Sequence, residues 1–112
     1  MTQIAIPFTI LIQGQGGHGS RPDQSHNPID CFLGIHSALK AFPSVDPCLP
    51  CSCMFHTVGS DSRRGNIIPD TFTATGTFYC LCEEDGAAFR GRLNDICQSL
   101  AARWLCSATA LF

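Results

Sequence analysis

The apolar positions along this chain switch between a repeat of two residues and a repeat of about 3.6, and each stretch has a clear edge. From Pro7 to Gln13, Phe8, Ile10 and Ile12 share one face, and the β-branched content predicts a strand. Gly14 to Ser20 is too rich in glycine to extend that strand, and a polar loop follows to His26. Asn27 is then placed to cap a helix, with Pro28 at its first position and Asp30 near the positive end. Ile29, Phe32, Leu33, His36 and Leu39 form its predicted apolar stripe, Cys31 lies beside it, and Pro43 limits the far end.

Pro43 to Pro50 reads as a connection. Cys51 to Ser60 predicts a second strand, with Met54, His56 and Val58 on one face and Cys53, Phe55 and Thr57 on the other. Gly59 to Asn66 reads as a turn or loop. Thr71 to Cys82 alternates most clearly: Phe72, Ala74, Gly76, Phe78, Cys80 and Cys82 against Thr71, Thr73, Thr75, Thr77 and Tyr79. One apolar and one threonine face suit an antiparallel sheet covered on a single side. A second helix starts at Glu83-Glu84-Asp85-Gly86, with Phe89, Leu93, Ile96, Cys97, Leu100 and Trp104 as its stripe. A last strand is expected from Cys106 to Phe112. The order β-α-β-β-α-β predicts an α+β fold of ferredoxin-like type: a four-stranded antiparallel sheet with both helices on one face.

Composition narrows the possible partners. A chain of 112 residues is one domain. Charged residues make up 14% of it, against about 25% in a typical soluble domain, so part of its surface is expected to be covered. A net charge of −2 gives no reason to expect nucleic acid or an anionic membrane as partner. No apolar run reaches the roughly 18 residues of a membrane span, and Met1 is not followed by a basic, apolar leader. Most of the 8 cysteines stand where an apolar residue would serve. The expectation is therefore reduced, buried thiols in a cytoplasmic protein.

Two segments are candidates for chemistry. Gly14-Gln15-Gly16-Gly17-His18-Gly19-Ser20 has the backbone freedom of an anion cradle, but lacks the Gly-Lys-Ser/Thr ending and does not lead directly into a helix. Arg64-Gly65-Asn66-Ile67-Ile68-Pro69-Asp70 enters the clearest strand, with proline where sheets tolerate it. Read singly, each is a connection.

Read together the two segments say more. Gly-Gly-His-Gly-Ser-x-Pro after the first strand, Asn-Pro-Ile-Asp at the first helix, and Asn-Ile-Ile-Pro-Asp with Gly76-Thr77 beyond it resemble the M20 peptidase dimerisation domain. They are most similar to the amidohydrolase branch of hippurate hydrolases, N-acyl-amino-acid deacylases and auxin-conjugate hydrolases. The resemblance runs from about Phe8 to Trp104.

It implies that residues 1–112 are a lid and dimerisation domain excised from a larger hydrolase, one that cleaves N-acyl amino acids or small peptides. Two divalent metal ions, zinc, manganese or similar, belong to the missing catalytic domain, and none to this chain. The partners implied are that catalytic domain, a second copy of the chain in a homodimer, and a small substrate. The resemblance gives His18 the stabilisation of a developing oxyanion. It makes Asn66 a substrate contact, and lets Gly17 and Gly19 bring the backbone close to a ligand. The isolated chain is expected to be inactive, since no ligand set of metal-binding type is present.

Two positions depart from the family pattern: Asp23, where a histidine often follows Ser-x-Pro, and Tyr79, where an arginine often follows Gly-Thr. If that arginine reads a carboxylate, its loss alters the preference for acidic substrates. The alternatives are a free-standing ferredoxin-like interaction or ligand-sensing domain, and a small metal or redox module on Cys48-x-x-Cys51-x-Cys53.

Overall fold

The computed structural model describes residues 3–14, 17–18, 27–45, 52–60, 67–68 and 70–112. The elements are β1 (Ile4–Gln13), β2 (Gly17–His18), α1 (Pro28–Val45), β3 (Ser52–Ser60), β4 (Ile67–Ile68), β5 (Thr71–Cys80), α2 (Glu83–Trp104) and β6 (Ser107–Leu111). Four strands make one sheet in the order β3-β5-β1-β6, and β2 and β4 pair separately. All the pairings are antiparallel. This is the expected α+β, β-α-β-β-α-β arrangement, with two short strands added.

β1 begins earlier than its β-branched run, at Ile4, and passes through Pro7. Proline can sit there for a specific reason. The Gly14 N–H donates to the Asp70 carbonyl (2.8 Å), so by alternation the even-numbered amides of β1 point to β5. Pro7 is odd, and on that side β6 pairs only with Thr9 to Gln13, so no ladder bond is lost.

Asn27 caps α1 as predicted, its Oδ1 accepting from the Ile29 N–H at 3.0 Å. Two expectations for α1 fail. The helix runs past Pro43 to Val45, because a proline in the last turn removes only one helical bond. Its buried face is Pro28, Cys31, Phe32, Ile35 and Leu39, whereas Leu33 is 57% exposed and His36 half-buried. The true stripe is displaced by about one residue from the predicted one.

β3 also departs from simple alternation. Its register with β5 shifts between Phe55 and Thr57, leaving His56 as the extra residue of a bulge. Cys53 and Phe55 face the core before the bulge. After it Thr57 pairs with Thr75 on the open face, and Val58, not Thr57, lies across from Ala74. β5 stops at Cys80 rather than Cys82, which instead precedes α2 in extended geometry (φ −135°, ψ 152°). The stripe of α2 is as expected, except that Ala101 is buried while Trp104 stays 39% exposed.

The core lies between the sheet and the helices. Phe78 stacks on Phe89 with centroids 4.1 Å apart, Phe8 tilts against Phe89, and Phe32 meets Phe55 edge-on. Gly76 leaves no room for a side chain: a Cβ there would lie 2.5 Å from the Met54 carbonyl oxygen and 2.8 Å from Phe8 Cζ. At the end of α2, Leu105 adopts the left-handed region (φ 57°), and the Cys106 N–H returns to the Ala101 carbonyl at 2.8 Å.

Candidate functional site

At the Gln13–Thr71 end of the sheet the β1–β5 ladder does not stop at its last pair. The Gly14 N–H carries it one bond further, to Asp70. Gly17 then pairs with Ile68, and His18 with Ile67. The glycine-rich segment, expected to form no element, thus holds half of a two-residue ladder. Ile67-Ile68 supplies the β-branched partner strand.

This arm joins two of the segments singled out in the sequence. It sets the backbone of His18 opposite Ile67, the residue after Asn66. Gly17 lies in the same pairing. Gly19, Asn66 and Asp23 lie outside the described residues.

Tyr79 sits elsewhere. It pairs with Ala5 on one side and Ser52 on the other, half-buried on the threonine face of β5. Eight residues of strand separate it from the arm's end of β5 at Thr71, roughly 27 Å. Within one chain, a small ligand at the arm does not reach Tyr79.

The open face of the sheet carries a feature that sequence reasoning missed. Thr9, His56, Thr75, Thr77 and Leu111 line a shallow depression of about 310 Å³. His56 Nε2 is 2.7 Å from Thr77 Oγ1, and the hydroxyls of Thr57 and Thr75 are hydrogen-bonded. Alternation puts His56 on this face with Met54, and the bulge adds Thr57 to it. Such a slip leaves no mark in an alternating sequence.

The described cysteines, Cys31, Cys53, Cys80, Cys82, Cys97 and Cys106, are free thiols. Burial pushes Cys31 up to about 12, helped by the neighbouring Cys106 and Cys97, and burial pushes Cys97 up to about 11. Burial also raises Cys53, although Lys40 opposes it; the Lys40 ammonium donates to the Cys53 carbonyl at 2.7 Å. Cys53 faces the core, while Cys48 and Cys51 lie outside the described residues. Among the described residues no group of three or more His, Cys, Asp or Glu could hold a metal ion. No described helix is long and apolar enough to cross a membrane.

Residues 4–105 match the peptidase dimerisation domain of the M20 class. The thermostable carboxypeptidase 1 of Saccharolobus solfataricus is 32% identical over 95 residues, covering 83% of this chain and 24% of that protein. The IAA-amino acid hydrolase ILR1-like 5 of Arabidopsis thaliana is 27% identical over 107 residues, covering 94% and 24%. A hydantoinase/carbamoylase family amidase from Burkholderia ambifaria superimposes with a TM-score of 0.89 at 14% identity, over 97% of this chain and 27% of its own. A tripeptidase from Staphylococcus aureus does so at 0.84 and 16%, over 97% and 28%. These structural likenesses establish a shared fold. The chain belongs to the M20 peptidase dimerisation-domain family. It spans about a quarter of the length of the curated relatives it matches.

Proposed function

We propose that residues 1–112 act as the lid and dimerisation domain of a larger metal-dependent amidohydrolase that cleaves N-acyl amino acids or small peptides. The observation that carries the reading is the arm: it pairs the glycine-histidine segment with the segment that follows Asn66, at one end of the sheet. The names of the relatives, a carboxypeptidase and an amino-acid-conjugate hydrolase, agree with amide hydrolysis as the chemistry.

In this reading His18 donates a hydrogen bond to the carbonyl oxygen as it gains charge, a contribution of roughly 3–4 kcal/mol in a site shielded from water. Asn66 is a polar contact for substrate, and Gly17 and Gly19 let the backbone approach it. Two divalent ions, zinc, manganese or similar, would be held by the catalytic domain and would supply an activated water there.

The chain also forms a homodimer in this reading. β3 and β6 are the edges of the sheet, and Met54 and Val58 on β3 are 47% and 56% exposed. Open strand edges of this kind pair readily with a second copy around a twofold axis. Other exposed apolar residues, Leu33, Leu105 and Phe112 among them, provide surface for a catalytic domain to cover. A cytoplasmic location fits the free thiols.

The test is hydrolysis of a panel of N-acyl amino acids and dipeptides by the whole parent protein, before and after chelation and metal return. Activity that is lost with metal and restored by it supports the reading. A parent whose metal-loaded form cleaves none of the panel overturns it. Sedimentation of the isolated domain checks the dimer: a monomer at high concentration contradicts that part.

A further inference from the structure

β1 has 10 residues and β6 only 5, so one flank of the sheet is uneven. β6 pairs with Thr9 to Gln13, and on that side no described strand lies against Ile4 to Phe8. The odd-numbered amides of β1 point that way, which turns the N–H and carbonyl of Ala5 into the notch. Pro7 offers only its carbonyl there. On the helix side of the notch lies a groove of about 480 Å³. Ile4, Ile6, Gly86 and Ala87 give it an apolar lining, with the exposed Glu83 and Arg90 beside them.

β6 is aimed at this notch. Its last pair is Leu111 with Thr9. Phe112 then turns to the helix side, its ring 6.5 Å from that of Phe89 and 5.9 Å from the Arg90 guanidinium carbon. We propose that the segment following Phe112 in the parent polypeptide occupies the notch as a continuation of β6, its second residue filling the groove with an apolar side chain. The proposal rests on the reading of this chain as one domain of a larger hydrolase, and the chain does span only about a quarter of its relatives' length.

Register makes the docking specific. Each step forward along β6 is one step back along β1, so Pro7 faces the first residue after Phe112, Ile6 the second and Ala5 the third. The first donates its N–H to the Pro7 carbonyl, and the third exchanges two hydrogen bonds with Ala5. The second turns its N–H away from the sheet. Its side chain points to the helices, as those of Ala108, Ala110 and Phe112 do. Such a strand closes an open edge and covers an apolar groove in one step. The lid then moves as one body with these residues, and its hinge lies beyond them.

The test is residue-resolved hydrogen exchange on the whole parent protein. The expected result is an Ala5 amide slowed by about 100-fold or more, with slow, fast and slow exchange at the first, second and third residues after Phe112. Ala87→Glu sets a carboxylate in the groove from an exposed position on α2. It is expected to return Ala5 to fast exchange while Phe89 and Leu93 stay protected. A fast Ala5 amide in the unaltered parent overturns the proposal. So does uniform slowing without alternation, which marks cover by a globular surface, or protection of Ala5 that survives Ala87→Glu. A parent that shows the alternation but hydrolyses no amide contradicts the lid reading alone, and an active parent with an open Ala5 contradicts the docking alone.

Discussion

The body of this domain and the arm at its end are held by very different amounts of structure. The body packs Phe8, Phe78 and Phe89 under ladders of ten paired residues between β1 and β5. The arm is two residue pairs long and joins the sheet through the Gly14 amide. Stability therefore resides in the body. Of the residues the family resemblance marks for chemistry, Gly17 and His18 lie in the arm. That separation is what the role proposed for His18 calls for: a rigid scaffold that carries a loop-borne site.

The largest expected effect lies in the body. Phe89 is fully buried and touches Phe8, Phe78 and Phe112. Phe89→Ala is expected to cost about 4 kcal/mol, measured by urea unfolding. Alkali probes the same region. A thiol whose pKa is raised in the folded chain holds its proton more tightly there than when unfolded. Stability from Cys31 and Cys97 is thus complete below the ordinary value of 9.0 and is lost as pH rises towards about 11 and about 12. Unfolding free energies measured from pH 8 upward should fall across that window.

Smaller effects are expected at Gly76 and Leu105. Gly76→Ala sets a Cβ against the Met54 carbonyl, which is backbone and cannot swing away; a loss of about 2 kcal/mol is expected in the same assay. Leu105→Gly should have the opposite sign. Leu105 is 67% exposed with φ 57°, so glycine relieves the left-handed strain and should stabilise by about 1 kcal/mol, read as a rise in Tm.

How much of this was legible depended on how polar each element is. α2 carries charged or polar residues on most sides, so only one face of Phe89, Leu93, Ile96 and Cys97 could be buried, and it was. α1 is apolar over most of its circumference. Two adjacent stripes both fit the spacing, and tertiary packing chose the one with Cys31 and Ile35 over Leu33. The four-stranded antiparallel sheet followed from β-α-β-β-α-β because that element order has few un-knotted solutions. The bulge at His56 had no signal, since an extra residue in a strand looks like any other alternating position.

The arm was legible only in part. Its pairing rests on two residues per strand, too few for any periodicity to register. The motifs pointed to His18 and Asn66 as a functional pair through resemblance. The ladder brings the backbone of His18 beside Ile67, while Asn66 itself lies outside the described residues.

The most direct measurement is His18→Ala in the whole parent protein, with kcat/KM on its best substrate and urea unfolding followed together. The account predicts kcat/KM lower by about 100- to 1,000-fold, with stability changed by less than about 0.5 kcal/mol and metal content and association intact. Full activity in that variant, or a loss of activity that merely tracks a loss of stability, would contradict the assignment of function to the arm.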